Sequence, residues 1–354
     1  MKVRYGLVFA GVHMGCAGAK IERGPAAFVE AERSVPVQTI SVDSEVTTVV
    51  VGVRAGSAHD PVGQEGLAWL TAQQLLRGDR LQARISEWGG SVNAQVSDEL
   101  VSYTLQIPST AAERAVKAFG DAIAKPTFSA ETLEVSRQDG VRWLSEGLAS
   151  SDARLVQAAF ESWVFQGHPY GHAPEGRSSA LESLTEVDVR RFYDRRYIRS
   201  AMVIAHSEDL DASISKSLQD LLSERPPRLY SDVTPRPIAP VRDVQVLVII
   251  KSGAMPTVYM GHPLNVQVGD EAWAALLLAR ASAGPDVGLE TLMGDATLQP
   301  HLSLWFSADE GQSPQALVDA AISGVSSWVK EGIAQAELDS AKVRISAKIE
   351  ALEK

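Results

Sequence analysis

The sequence predicts an α+β fold made of two related units, each an antiparallel sheet covered by helices, with the second unit incomplete. Three observations carry that expectation. Segments with strand alternation are interspersed among longer segments of helical periodicity over the first two-thirds of the chain. A proline-rich connector, from Arg225-Pro226-Pro227 through Pro235-Arg236-Pro237 to Pro240, then divides the chain. Beyond it the mixture of strands and helices restarts, over a much shorter length, and the last residues lie inside a helical pattern.

Taken in order, Lys2 and Arg4 precede a short apolar run from Tyr5 to Val12, and Gly15 is followed by Cys16. This reads as an export leader over residues 1–16, with Cys16 as a lipidation site; cleavage at Ala17-Gly18-Ala19 is the other reading. Residues 17–24 form a small-residue tether and residues 25–224 the first unit. Within it, Glu45 to Arg54 reads as a strand, and Gly66 to Asp79 as a helix that Gly78 ends. Gly89-Gly90 introduces a hairpin, Ser91 to Val96 and Leu100 to Ile107, with a polar break at Ser97-Asp98. Thr110 and Glu113 have capping-box spacing for a helix ending near Lys125-Pro126, and Ser129 starts a longer helix running past Trp143. Helices follow near Asp152 to Phe165 and Thr185 to Tyr197, then a strand at Ala201 to Ala205 and a helix from Asp211 to Ser223. Residues 225–241 are the linker and 242–354 the partial second unit. Its elements are strands at Val244 to Lys251, Val258 to His262 and His301 to Ser307, and helices at Asp270 to Ala283, Pro314 to Lys330 and Ala334 onward.

Composition narrows the function. With 45% hydrophobic and 22% charged residues, the chain has the makings of ordinary globular cores. Its net charge of -11 opposes nucleic acid as a partner and leaves a lipid anchor as the only expected route to a membrane. The single cysteine excludes a disulfide framework. No phosphate loop, dinucleotide fingerprint or Gly-x-Ser-x-Gly elbow occurs. His168 and His172 have the spacing of a metal pair, but Pro169 and Gly171 break the helix that would join them, so they read as a turn. Arg190 to Tyr197 mixes basic and aromatic residues; the capping pair Thr185 and Asp188 makes it a helix with one apolar and one solvated basic face.

Several of these landmarks, in this order, resemble the pitrilysin, insulinase and mitochondrial processing peptidase family. Val53-Arg54-Ala55-Gly56-Ser57 is similar to its strand before the metal helix, and Gly66-Leu67-Ala68 with Leu75, Arg77 and Gly78 to the frame of that helix. Gly89-Gly90-Ser91-Val92-Asn93-Ala94 resembles its edge-strand motif. Gly167-His168-Pro169-Tyr170-Gly171, Leu184-Thr185 with Phe192-Tyr193 and Tyr197, and Gly261-His262-Pro263 with Asp270 resemble its later segments.

The resemblance implies an inverted zinc-peptidase fold whose metal site is degenerate. On the helix, Trp69, Ala72 and Gln73 share one face. In the family that face carries His-x-x-Glu-His, and Trp69, Ala72 and Gln73 stand at its first histidine, glutamate and second histidine. The third ligand, a later glutamate, aligns with Trp143, and a second glutamate seven residues earlier with Ser136; Asp139 and Glu146 lie close enough to leave that register open. An indole and a methyl offer zinc no lone pair and a carboxamide is a feeble ligand, so no cofactor is expected. The segment Leu289 to Trp305 also lacks the Arg and Tyr with which the family grips substrate. The implied role is a non-catalytic structural or regulatory subunit, exported to the periplasm or lipid-anchored to the bacterial envelope, forming a heterodimer with an active zinc-peptidase subunit. Peptide could add at the edge strand Val92, Asn93, Ala94. The alternatives are a stand-alone peptide-binding or envelope scaffold and a weak hydrolase with an unrecognised site.

Overall fold

A computed structural model describes residues 34–41, 46–148, 150–228, 257–263, 290–293, 301–307, 313–332 and 334–353. The expected leader with Cys16, the tether, most of the linker, the strand at 244–251 and the helix at 270–283 lie outside these residues. The chain divides into two compact units: residues 34–146 with 172–228 form one, and residues 147–171 with the described segments from 257 onward form the other.

The first unit is organised by a sheet of five strands: β1 (Val37–Ile40), β2 (Val46–Val53), β3 (Ser91–Val96), β4 (Val101–Pro108) and β5 (Met202–Ser207), in the order β1-β5-β2-β4-β3. All pairings are antiparallel except the parallel β1 to β5 pair. Its register follows from period-two alternation. Val49, Val51 and Val53 stand opposite Leu105, Tyr103 and Val101, and all six are fully buried. Each such aliphatic side chain contributes about 1.5–3 kcal/mol through burial. Between them Ser102, Thr104 and Gln106 face the other way and retain solvent contact, which leaves one sheet face for the helices.

The helices of this unit are α1 (Leu67–Arg77), α2 (Leu81–Glu87), α3 (Ala112–Ala124) and α4 (Ala130–Arg142), followed after the insertion of residues 147–171 by the short α6 (Ser178–Ser183), α7 (Glu186–Arg196) and α8 (Ala212–Ser223). Leu70 and Leu75 of α1, Phe119 and Ile123 of α3, and Val189 and Phe192 of α7 enter one core with the sheet. Tyrosines tie the layers together. The Tyr193 hydroxyl donates to the carbonyls of Ile123 and Ala124 at the end of α3, at 2.7 and 2.8 Å. Tyr103 and Tyr197 share a buried hydroxyl-to-hydroxyl bond of 2.6 Å.

Helix ends separate legible from illegible local signals. Ser129 caps α4 by accepting the amide of Thr132, and Thr185 with Asp188 forms the expected capping box on α7. The box expected from Thr110 and Glu113 does not form. The chain leaves β4 through a 3-10 turn, Ser109–Ala111, and the residue at the cap is Ala111, which has no side-chain acceptor. Gly78 does end α1, yet in an extended conformation. The left-handed turn falls on Asp79 (φ 48) and Arg80 (φ 54) instead. Strand β1 and helices α2 and α6 were not expected from sequence.

In the second unit, β6 (Thr257–Pro263), β7 (Glu290–Met293) and β8 (His301–Ser307) form an antiparallel sheet with β8 in the middle. Helices α5 (Asp152–Val164) and α9 (Pro314–Glu331) pack against β6, and α10 (Gln335–Glu353) follows. Strand β7 was not expected; β6, β8 and the two last helices lie where the sequence placed them.

Candidate functional site

The helix that the family resemblance singles out, α1, is fixed from its N-terminal side. Residues 56–58 lie along the β3 to β4 turn: the amides of Gly56, Ser57 and Ala58 donate to the carbonyls of Glu99, Ser97 and Asp98 at 3.1, 3.0 and 2.7 Å. Gly56 is required there, because a Cβ would stand 2.4 Å from the Ser97 carbonyl oxygen. The Asp60 carboxylate then reaches forward to the helix start, accepting the amides of Gly66 and Ala68 at 2.6 and 2.7 Å. It does the work of a cap that Gly66, itself left-handed at φ 102, cannot do. Burial pushes the Asp60 carboxyl well above the usual range, while these amides and that of Leu67 pull it back.

Beside it, His59 is buried with its Nδ1 3.2 Å from the Gly56 carbonyl oxygen. Only an N–H can face a carbonyl, so Nδ1 carries the proton of a neutral ring. Burial first, then the charge of Arg196, lowers its pKa to about 3.

On the face that the resemblance assigns to a metal, Ala72 is fully buried and Trp69 and Gln73 are half-buried. The Trp69 ring lies over Gly140 of α4. A Cβ on Gly140 would stand 2.8 Å from Trp69 Cζ3 and 2.9 Å from Leu181 Cδ1. One turn earlier on α4, buried Ser136 accepts a hydrogen bond from Gln74 Nε2 at 3.2 Å, and Gln74 Oε1 accepts from Thr132 at 2.8 Å. Arg77 pairs with Asp139 at 2.5 Å. Thus α1 and α4 are joined by an indole on glycine, a neutral hydrogen-bond relay and an ion pair. Trp143 is half-buried and begins a π-helical turn, Trp143–Gly147. No ring contact between Trp69 and Trp143 occurs among the described residues. Of the two carboxylates near that turn, Asp139 is engaged by Arg77 and Glu146 is exposed.

The donor set at Trp69, Ala72 and Gln73 does not fit a zinc ion, which needs three good nitrogen, sulfur or oxygen ligands in its catalytic sites. Among the described residues no group of three or more His, Cys, Asp or Glu side chains could hold a metal.

Elsewhere, Val92, Asn93 and Ala94 lie on β3, which is an edge of the sheet. His168 sits in an aromatic turn of the second unit, 5.5 and 4.8 Å from the rings of Phe165 and Tyr170. His172 belongs to the first unit, with Nδ1 2.9 Å from the Ala173 carbonyl oxygen. Burial lowers the pKa of both histidines. The apolar face expected for the Arg190 to Tyr197 segment is present: Val189, Phe192 and Tyr193 are buried and the arginines at 190, 191 and 195 exposed. Asp60, His59 and Gln74 escaped the sequence reading. The one signal for Asp60 was its place before Pro61, at the turn into the helix.

Residues 37–175 match the insulinase family, peptidase family M16. Over those residues the chain is similar to an M16-family domain. A rat relative, cytochrome b-c1 complex subunit 1, mitochondrial, is 24% identical over 294 residues, covering 74% of this chain and 58% of the relative. The chain therefore spans little more than half the length of that protein. Two solved structures share this fold. A protease from Helicobacter pylori superposes with a TM-score of 0.72 at 16% identity, over 91% of this chain and 86% of its own. An inactive M16 peptidase domain from Pseudomonas fluorescens does so with a TM-score of 0.69 at 18% identity, over 91% and 85%.

Proposed function

We propose that this M16-family chain is a non-catalytic subunit that assembles with an active zinc-peptidase subunit. The observation that carries the reading is the Trp69 ring lying on Gly140. Where the family resemblance puts a histidine facing a metal, this chain has a large hydrocarbon surface between α1 and α4. Ala72 has no group to activate water and Gln73 no basic one, so neither hydrolytic role is filled at these positions. The inactive M16 domain of P. fluorescens and the rat complex subunit give precedent for such relatives. Strand β3 offers an edge along which a peptide could lie in the assembled complex.

Two measurements test this. Zinc titration of the full chain, with peptidase assays before and after chelation, is expected to give neither stoichiometric binding nor chelator-sensitive cleavage; either one overturns the non-catalytic reading. Affinity purification of the chain from its own cells is expected to recover a protein with an intact His-x-x-Glu-His helix. Recovery of the chain alone would favour the stand-alone scaffold. Cell fractionation with globomycin, which blocks lipoprotein processing, tests the export and Cys16 lipidation expected of the leader.

A further inference from the structure

The solvent face of α7 carries a stripe at helical spacing, Val187, Arg190, Arg191, Asp194 and Arg195, all exposed. Arg228, from the segment that follows α8, joins it, and these six residues line an open cleft of about 370 Å³. Two of the charges are already engaged. Arg190 pairs with Glu186 at 2.8 Å and covers the Phe128 ring at 5.2 Å, and Asp194 is 4.0 Å from the half-buried Arg225. The Arg228 guanidinium donates one long bond, 3.5 Å from Nη1 to the backbone carbonyl of Asp194, while the Arg228 carbonyl accepts from the Ser200 hydroxyl at 2.5 Å. Arg191, Arg195 and Arg228 form no ion pair within 4 Å among the described residues, although the charge of Arg191 acts on the Asp188 carboxylate.

Such an arrangement costs something to keep. Arg191 and Arg195 are like charges one turn apart and repel each other. The negative end of the helix dipole offsets that for residues in the last turn. It gives no reason for Arg228 to be there, since that residue comes from another segment. The chain as a whole carries a net charge of -11, so a concentrated positive cleft stands out in its field.

We propose that this cleft docks an acidic segment of a partner protein. Arginine favours the planar, bidentate capture of carboxylates, and three exposed guanidinium groups outside any close ion pair supply the complementary charge. Exposed Val187 adds an apolar contact at one end, which suits a peptide side chain. The net charge of -11 opposes the approach of an extended anionic lipid surface more than that of a short acidic segment. This inference is independent of whether the chain is catalytic.

The test uses the full chain and a fluorescein-labelled hexaglutamate peptide, followed by anisotropy at about 50 mM salt, where exposed charges are weakly screened. The triple reversal Arg191→Glu, Arg195→Glu, Arg228→Glu is expected to weaken binding by about tenfold or more. A charge-matched control, Arg80→Glu, Arg84→Glu, Arg114→Glu, is expected to retain most of the affinity. Circular dichroism confirms that both variants are folded. Absence of saturable peptide binding to the unaltered chain overturns the proposal. So does an equal loss in the control, which would mean diffuse attraction. Preferential capture by phosphatidylglycerol vesicles that depends on the same three arginines would assign the cleft to a membrane surface and overturn it as well.

Discussion

Replacing Gly140 by alanine sets two effects of opposite sign against each other at the contact between α1 and α4. Inside α4, alanine is favoured over glycine by about 1 kcal/mol through helix propensity. The added methyl, however, would stand 2.8 Å from Trp69 Cζ3 and 2.9 Å from Leu181 Cδ1, well inside the ~3.5–4.0 Å of an optimal carbon contact. Overpacking of that kind costs about 1–3 kcal/mol, and the rigid indole cannot turn aside as a leucine methyl can. Gly140→Ala is therefore expected to lose up to about 2 kcal/mol net, the overpacking cost less the propensity gain. In a Trp69→Ala background only the Leu181 methyl remains, which can turn aside, so the same substitution becomes stabilising by up to about 1 kcal/mol. The assay is urea unfolding followed by far-ultraviolet circular dichroism, which does not depend on the indole removed, for the four members of the cycle. A Gly140→Ala change that stabilises both backgrounds equally would show that the Trp69 ring does not rest on Gly140, and the placement of the two helices would be wrong.

Three further outcomes are expected. His59, neutral when folded with a pKa near 3 against 6.5 when unfolded, contributes stability that is present above pH 6.5 and lost as pH falls towards 3. The loss approaches ~1.4 kcal/mol per pH unit across that window, and His59→Gln should flatten the acid limb of a stability profile by that amount; an unchanged limb would contradict the burial. Asp60→Ala, which leaves the Gly66 and Ala68 amides without their acceptor, should cost about 1–2 kcal/mol in denaturant unfolding, and a neutral result would remove its role as the cap of α1. Tyr103→Phe strands the buried Tyr197 hydroxyl and should cost about 1–3 kcal/mol, whereas Tyr103→Phe with Tyr197→Phe should cost less than the two single changes added together.

The sheet's centre was legible because period-two alternation in β4 maps directly onto burial: Val101, Tyr103, Leu105 and Ile107 are all fully buried. Strand β1 was not, since it is short, only partly buried and held by parallel pairing to β5 far along the chain. Two capping boxes with the same spacing had different outcomes. Thr185 follows an extended residue, whereas Thr110 lies inside the 3-10 turn that leaves β4, so its side chain is not at the cap. At the candidate site, the shared face of Trp69, Ala72 and Gln73 could be read from helical spacing alone. Its counterpart could not: Gly140 matters only because the fold brings α4 under the indole, and glycine has no side chain to advertise it. Asp60 was missed for a related reason, capping a helix from beyond the usual position with a carboxylate delivered by a turn.

The excursion of residues 147–171 out of the first unit has a consequence for how the chain is made. Helix α5 is synthesised before the last part of the first unit, residues 172–228, and well before β6, the strand it packs against. Through that interval the first unit can close around its sheet while α5 waits for β6. The two units are therefore interleaved in time as well as in sequence. A chaperone that shields one amphipathic helix for the duration of about a hundred residues of translation, some 5–20 seconds at ordinary elongation rates, would address the most vulnerable moment in the folding of this protein.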